Sequence, residues 1–247
     1  MIFAHGYGCD QTMWGRLSPS FEDRYRIVLF DLVGCGRSDL SAYDPARYGS
    51  LQAHADDVLD ILAEFSTGPA VFVGHSVSAM IGLLAGVAAP ERFSAHVMIG
   101  PSPRYVNDGD YVGGFSRQDI DSLLDTLDSN YLGWASAMAP VFMGAPDQPG
   151  LTTELANSFC ATDPEIARHF AKVTFLSDNR ADVPRLETRA LVLQCSDDVV
   201  APRSVGEYLR DHLPDCTLRI IDNVGHCPHL SATRAIAGAM EEFLRAP

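Results

Sequence analysis

Three polar groups in this chain have the types and the order that acyl transfer needs. Ser76 lies in Gly74-His75-Ser76-Val77-Ser78, after the apolar run Ala70–Val73 and before a helical pattern at about 77–89. A hydroxyl on such a strand–turn–helix corner stands clear of the sheet. The helix start behind it turns free N–H groups toward developing negative charge. The corner is so tight that its flanks need small residues. The pattern departs from G-x-S-x-G at its second glycine, which is Ser78 here. Serine is still small, so the geometry survives. A serine that only caps a helix after a strand is the bland reading, and the missing glycine makes the short motif less specific, but the corner is still the strongest local signal in the chain.

Serine is a poor nucleophile until a base takes its proton, and the base needs an acid to orient it. After the run Ala190–Gln194 comes Cys195-Ser196-Asp197-Asp198. After the run Thr217–Ile221 comes Asn223-Val224-Gly225-His226-Cys227-Pro228-His229. Serine, acid and histidine therefore follow one another at three strand ends, where open parallel sheets build their sites. Chemistry alone leaves Asp197 and Asp198 open as the acid. His226 competes with His229, which falls near the start of the last helix and suits a structural donor better. Asp31, Asp178 and Asp222 read as turn, cap or strand-end groups. The histidines at 5, 54, 75, 96, 169 and 212 have no acid partner in register, although His5 and His75 fall near the site with their loops.

The tetrahedral intermediate of acyl transfer carries a negative oxygen that needs preorganised donors. One is the N–H of Val77, directly after the nucleophile. The other is the N–H of Tyr7, in the glycine-rich turn His5-Gly6-Tyr7-Gly8 after the first strand.

Positioning these groups requires a sheet. Near-continuous apolar runs at Met1–Ala4, Arg26–Phe30, Ala70–Val73, His96–Ile99, Ala190–Gln194 and Thr217–Ile221 read as strands buried on both faces. Helical patterns at about 50–65, 77–89, 202–213 and 231–245 alternate with them, which predicts a mostly parallel sheet with helices on both faces. From about Pro103 to Leu186 no strand pattern occurs. Ser116 with Asp119 makes a capping box, and Asp163-Pro164 starts another helix. With patterns around 131–142 and 152–161, the reading is a four-helix insertion. The expected division is a core of 1–102 and 187–247 under a helical lid of 103–186.

Bulk properties narrow the partners. Acidic residues outnumber basic ones by 32 to 18, a formal charge of −14. Phosphate backbones and anionic lipid surfaces repel such a chain, so neither nucleic acid nor membrane is an expected partner. No apolar run is long enough to span a bilayer, and MIFAHGYG has neither the basic start nor the apolar core of a signal peptide. Six cysteines occur without a C-x-x-C pair, which gives no zinc or redox motif. They read as reduced thiols of a cytoplasmic protein. The expected chemistry needs no metal or organic cofactor.

The segments HGYGCDQTMW, LFDLVGCGRSDL, GHSVSAMIG, GPSPRY, GGF, TDPEIA, SDNR and GHCPHLS resemble the RsbQ-like α/β-hydrolases, a family that includes a bacterial stress-signalling protein and the plant karrikin and strigolactone receptors. The likeness runs over essentially the whole chain. It implies the α/β-hydrolase fold, a Ser-His-Asp triad and a V-shaped four-helix lid over an apolar pocket. The family places its acid four residues before the proline of this loop, which selects Asp198 and leaves Ser76 and His226 as its partners. It maps the second oxyanion donor to Tyr7, where relatives mostly carry phenylalanine, and pocket aromatics to Tyr105, Phe115, Trp134, Phe159 and Phe175. The implied activity is cleavage of a small apolar ester or lactone. The alternative it implies is a signalling module or small-ligand receptor that activates a PAS-domain phosphatase. Relatives begin with two further strands, so the resemblance also implies a longer natural protein with Met1 inside the third strand. Were residue 1 the true start, Arg26–Phe30 would be an unpaired edge.

Overall fold

The computed structural model describes residues 1–245. Six parallel strands form one sheet in the order β2-β1-β3-β4-β5-β6. They are β1 (Ile2–Ala4), β2 (Val28–Leu29), β3 (Ala70–His75), β4 (Phe93–Ile99), β5 (Ala190–Asp197) and β6 (Cys216–Val224). Helices flank the sheet: α1 (Leu51–Phe65), α2 (Val77–Ala88), α7 (Arg203–His212), α8 (Pro228–Ser231) and α9 (Thr233–Arg245). This is the parallel sheet flanked by helices that the strand–helix alternation predicts, and the α/β-hydrolase fold that the family resemblance implies.

Two strands differ from expectation. β3 is buried at every position, as a central strand must be, but β6 exposes several residues because it forms one edge of the sheet. β2 shrinks to two residues at the other edge, because its register with the short β1 covers only Ile2↔Val28 and Phe3↔Leu29. The helix expected at about 231–245 is α9, and the short α8 precedes it, separated by Ala232.

Between β4 and β5 lie α3 (Arg117–Ser129), α4 (Tyr131–Met143), α5 (Pro149–Ala161) and α6 (Pro164–Phe175). Local chemistry sets their ends. Ser116 and Asp119 close a reciprocal capping box at α3. The Asp163 carboxylate accepts from the N–H groups of Glu165 and Ile166, with Pro164 supplying a preset φ at the start of α6. α4 stops at Gly144, whose φ of 62° is the left-handed closure that a β-carbon disfavours.

The two ends of this insertion are clasped together. Arg104 and Asp178 form an antiparallel bridge and an ion pair, and the N–H of Asn179 donates to the carbonyl of Pro103 at 2.8 Å. Arg180 adds bonds to Asp178 and Asp108. Hydrogen bonds to Asp178 from Arg180, then Arg104, hold its carboxyl at about 2.

Candidate active site

β3 runs directly into Ser76, whose φ of 55° and ψ of −123° depart from any regular element. It is the one non-glycine residue at positive φ among the described residues. Such a backbone costs about 1–3 kcal/mol and persists only where the surroundings enforce it. Here β3 and α2 converge so closely that a β-carbon on Gly74 would sit 2.5 Å from the carbonyl oxygen of Ser78. Glycine at 74 is therefore the condition for the corner, and the corner lifts Ser76 to the C-terminal edge of the sheet.

The loop after β6 brings His226 to that edge, and the loop after β5 brings Asp198. His226 Nε2 lies 2.8 Å from Ser76 Oγ, and its Nδ1 lies 2.8 Å from Asp198 Oδ2. A carboxylate can only accept, so Nδ1 carries the proton and Nε2 keeps the lone pair that faces the serine hydroxyl. The other carboxylate oxygen, Oδ1, accepts from the N–H groups of Val200 and Ala201 at 2.8 and 3.1 Å, which fixes the plane of the acid. All three side chains are buried. The neighbour Asp197 ends β5 with an exposed side chain and offers only its main-chain carbonyl, to the N–H of Gly225.

The turn after β1 faces the same hydroxyl. Among the described residues, neither the N–H of Tyr7 nor that of Val77 has an acceptor within the chain. Two groups hold the peptide between Gly6 and Tyr7: the Gly6 carbonyl accepts from His5 Nδ1 at 2.9 Å and from the Cys9 N–H at 3.2 Å. In a trans peptide the N–H points opposite the carbonyl, so the Tyr7 N–H is turned away from those donors. His5 Nε2 accepts from the Leu32 N–H at 3.0 Å, so the proton sits on Nδ1. Burial lowers the pKa of His5 and favours this neutral form.

A cavity opens over Ser76, with about 30 Å³ of free space. That is room for roughly two water molecules. Tyr105, Phe159 and Phe175 line it, together with Tyr7, His75 and His226. Trp134 does not. It stands one layer back, with its ring centroid 5.8 Å from Phe159 and 6.0 Å from Phe142, so it backs the rings that do the lining. Phe115 does not line it either; its backbone is engaged with Tyr105 and Asn107 in the loop before α3. Phe142, Leu155, Thr174, Val200, Cys9 and Cys227 complete the wall and were missed. No local motif marks them. Which face of a helix between β4 and β5 turns inward is set by packing, not by spacing. The Thr174 hydroxyl is buried without a partner in the chain, and the buried Tyr105 hydroxyl lies toward Ser76.

His229 does not act as the structural donor expected of it. Both ring nitrogens are buried without a partner, and the ring packs against His75 and Trp14. Burial pushes its pKa down to about 3 and that of His75 well below the usual range. The six cysteines are all free thiols. No group of histidine, cysteine and carboxylate side chains suited to a metal ion occurs among the described residues, and no helix there is long and apolar enough to cross a membrane.

A sheet of this topology with a buried serine–histidine–aspartate line at its strand ends defines a hydrolase. Comparison with known proteins gives the family. Residues 1–239 match the model of the alpha/beta hydrolase family. The strigolactone esterase D14 of Arabidopsis thaliana is 38% identical over 99% of this chain and 90% of its own length. The karrikin insensitive 2 receptor CA of Petunia hybrida is 37% identical over 94% of this chain and 86% of its own. The solved structure of a hydrolase from Oleispira antarctica is 40% identical, with a TM-score of 0.96 over 100% of this chain and 90% of that one. The chain belongs to the alpha/beta hydrolase family, as a serine ester hydrolase.

Proposed function

We propose that Ser76, His226 and Asp198 cleave a small apolar ester or lactone through an acyl-enzyme. The observation that carries this reading is the unbroken line from the Asp198 carboxylate through His226 to the Ser76 hydroxyl, each contact 2.8 Å. Ser76 Oγ attacks the carbonyl carbon while His226 Nε2 takes its proton. Asp198 stabilises the imidazolium without taking the proton itself. The carbonyl oxygen becomes an oxyanion between the N–H groups of Tyr7 and Val77. Collapse expels the alcohol, which takes the proton from His226. Water then enters by the same steps and releases the acid. Residues 103–186 serve as the lid, and the cavity wall of Tyr105, Phe159 and Phe175 favours apolar groups, with Trp134 behind Phe159. The small free space favours short acyl chains.

Purified Ser76→Ala tested on p-nitrophenyl acetate decides the matter. Turnover is expected to vanish with the circular dichroism spectrum unchanged, and undiminished turnover would end the proposal.

A second reading is supported by one relative's name, a receptor 37% identical to this chain. Under it, hydrolysis is slow and the lid reports ligand binding to a partner; the PAS-domain phosphatase of the RsbQ-like family is the partner class. Single-turnover kinetics separate the two. Fast acylation and deacylation favour a metabolic esterase, whereas an acyl-enzyme lasting many minutes favours the receptor.

A further inference from the structure

Ser78 stands where the nucleophile motif has glycine, and His75 precedes the nucleophile with no acid partner. Neither has a role in the chemistry above, yet each reaches one of the other two loops of the site. Ser78 is fully buried, and its hydroxyl donates to the main-chain carbonyl of His5 at 2.5 Å. His5 begins the turn that carries the Tyr7 N–H. His75 Nε2 lies 2.8 Å from the main-chain carbonyl of His226. A carbonyl only accepts, so Nε2 carries the proton and Nδ1 is bare. That bare edge lies against Gly6, where a β-carbon would come within 2.4 Å of Nδ1.

The corner at Ser76 thus touches the base loop through the residue before it and the oxyanion turn through the residue two after it. Both contacts go to main-chain carbonyls, so they fix loops rather than side chains. Both donors grow from the backbone that holds the strained Ser76, so its hydroxyl, the base and the oxyanion donor share one frame. A glycine at 78 would keep the corner but lose the bond to His5. Phenylalanine at 75 would keep the ring but lose the bond to His226.

We propose that His75 and Ser78 are positioning residues, His75 registering the base loop and Ser78 the oxyanion turn against the nucleophile. The proposal rests on the ester-hydrolase reading of Ser76.

The test uses the full chain. A fluorophosphonate should label wild type at Ser76 and leave Ser76→Ala unlabelled. Absence of label on wild type would remove the hydrolase reading itself, and this proposal with it. With label present, Ser78→Ala is expected to lower kcat on p-nitrophenyl acetate at least about tenfold, as loss of oxyanion stabilisation does. KM should stay within twofold. Affinity for a trifluoromethyl ketone, whose adduct carries the oxyanion, should fall in proportion to kcat. His75→Phe should slow fluorophosphonate labelling about tenfold, and His75→Gln, whose amide can donate to the same carbonyl, should recover part of the rate. If Ser78→Ala does not fold, Ser78→Gly reads the same loss. Variants that lower only the melting temperature, with kcat per titrated site and ketone affinity unchanged, would overturn the proposal.

Discussion

The phenol of Tyr7 donates a hydrogen bond to the main-chain carbonyl of Ala167, 3.0 Å away and 160 residues later. One residue thereby gives its side chain to helix α6 and, among the described residues, leaves its N–H unpaired beside Ser76. Ser158 of α5 adds a bond to the carbonyl of Gly8 at 3.0 Å, and the N–H of His226 donates to the carbonyl of Phe142 on α4 at 2.6 Å. The roof is fastened to the same loops that carry the chemistry.

Tyr7→Phe keeps the ring and the N–H and removes only the bond to α6. A neutral hydrogen bond of this kind contributes about 1 kcal/mol. The expected outcome is faster amide exchange around residues 167–171 and a gain in activity on longer esters relative to acetate. Unchanged exchange in α6 would show that the bond does not hold the lid.

Asp198→Asn should fold normally and lose about 10⁴-fold in kcat. The amide no longer demands a proton on Nδ1, so His226 adopts the wrong tautomer for accepting the Ser76 proton. Steady-state kinetics on p-nitrophenyl acetate give the number. A loss below tenfold would mean that another group orients the base.

Acyl length should matter steeply. With about 30 Å³ free beneath the lid, kcat/KM is expected to fall at least about tenfold from the acetate to the hexanoate ester. A flat profile across p-nitrophenyl esters would mean that the roof opens freely in solution.

His54 makes stability depend on pH. It is buried between Tyr48 and Phe170 with both nitrogens unpartnered, and burial pushes its pKa from the ordinary 6.5 down to about 3. The unfolded chain binds a proton below 6.5 that the folded chain refuses. The stability is complete above 6.5 and drains away as pH falls toward 3. At pH 5 the loss is about 2 kcal/mol from this residue alone. His54→Phe should flatten the acid limb of a urea-denaturation series by about that amount between pH 7 and 5, with little change at pH 8. An unaltered limb would place the acid sensitivity elsewhere, with His96 and His229 the next to test; burial depresses these to about 4 and about 3.

Features governed by a few neighbouring residues could be read before any coordinates. The corner at Gly74–Ser78, the capping box of Ser116 and Asp119, and the proline start at Asp163–Pro164 each depend on local geometry. Chain order placed a serine, an aspartate and a histidine at three strand ends, and the structure brings Ser76, Asp198 and His226 into one hydrogen-bonded line. Choosing between Asp197 and Asp198 needed more than local chemistry, because adjacent residues of a strand end point to opposite sides. The length of β2 was not legible, since it is set by the three-residue partner beside it. Nor was the choice of Phe142 and Leu155 over Trp134 and Phe115 as cavity wall, which turns on how each helix or loop is rotated against its neighbours. The bare nitrogens of His229 were hidden for the same reason: burial without a partner is a property of the packed whole.

The clasp between Arg104 and Asp178 has an architectural consequence. Since the chain leaves β4 and returns to β5 at one clasped doorway, a change of length in the stretch between is expected to leave the pairing of β4 with β5 in place. An exchanged cassette would have to restore the bonds to Tyr7, Gly8 and His226, so new selectivity is open to variation among shapes that keep those three ties above the hydroxyl.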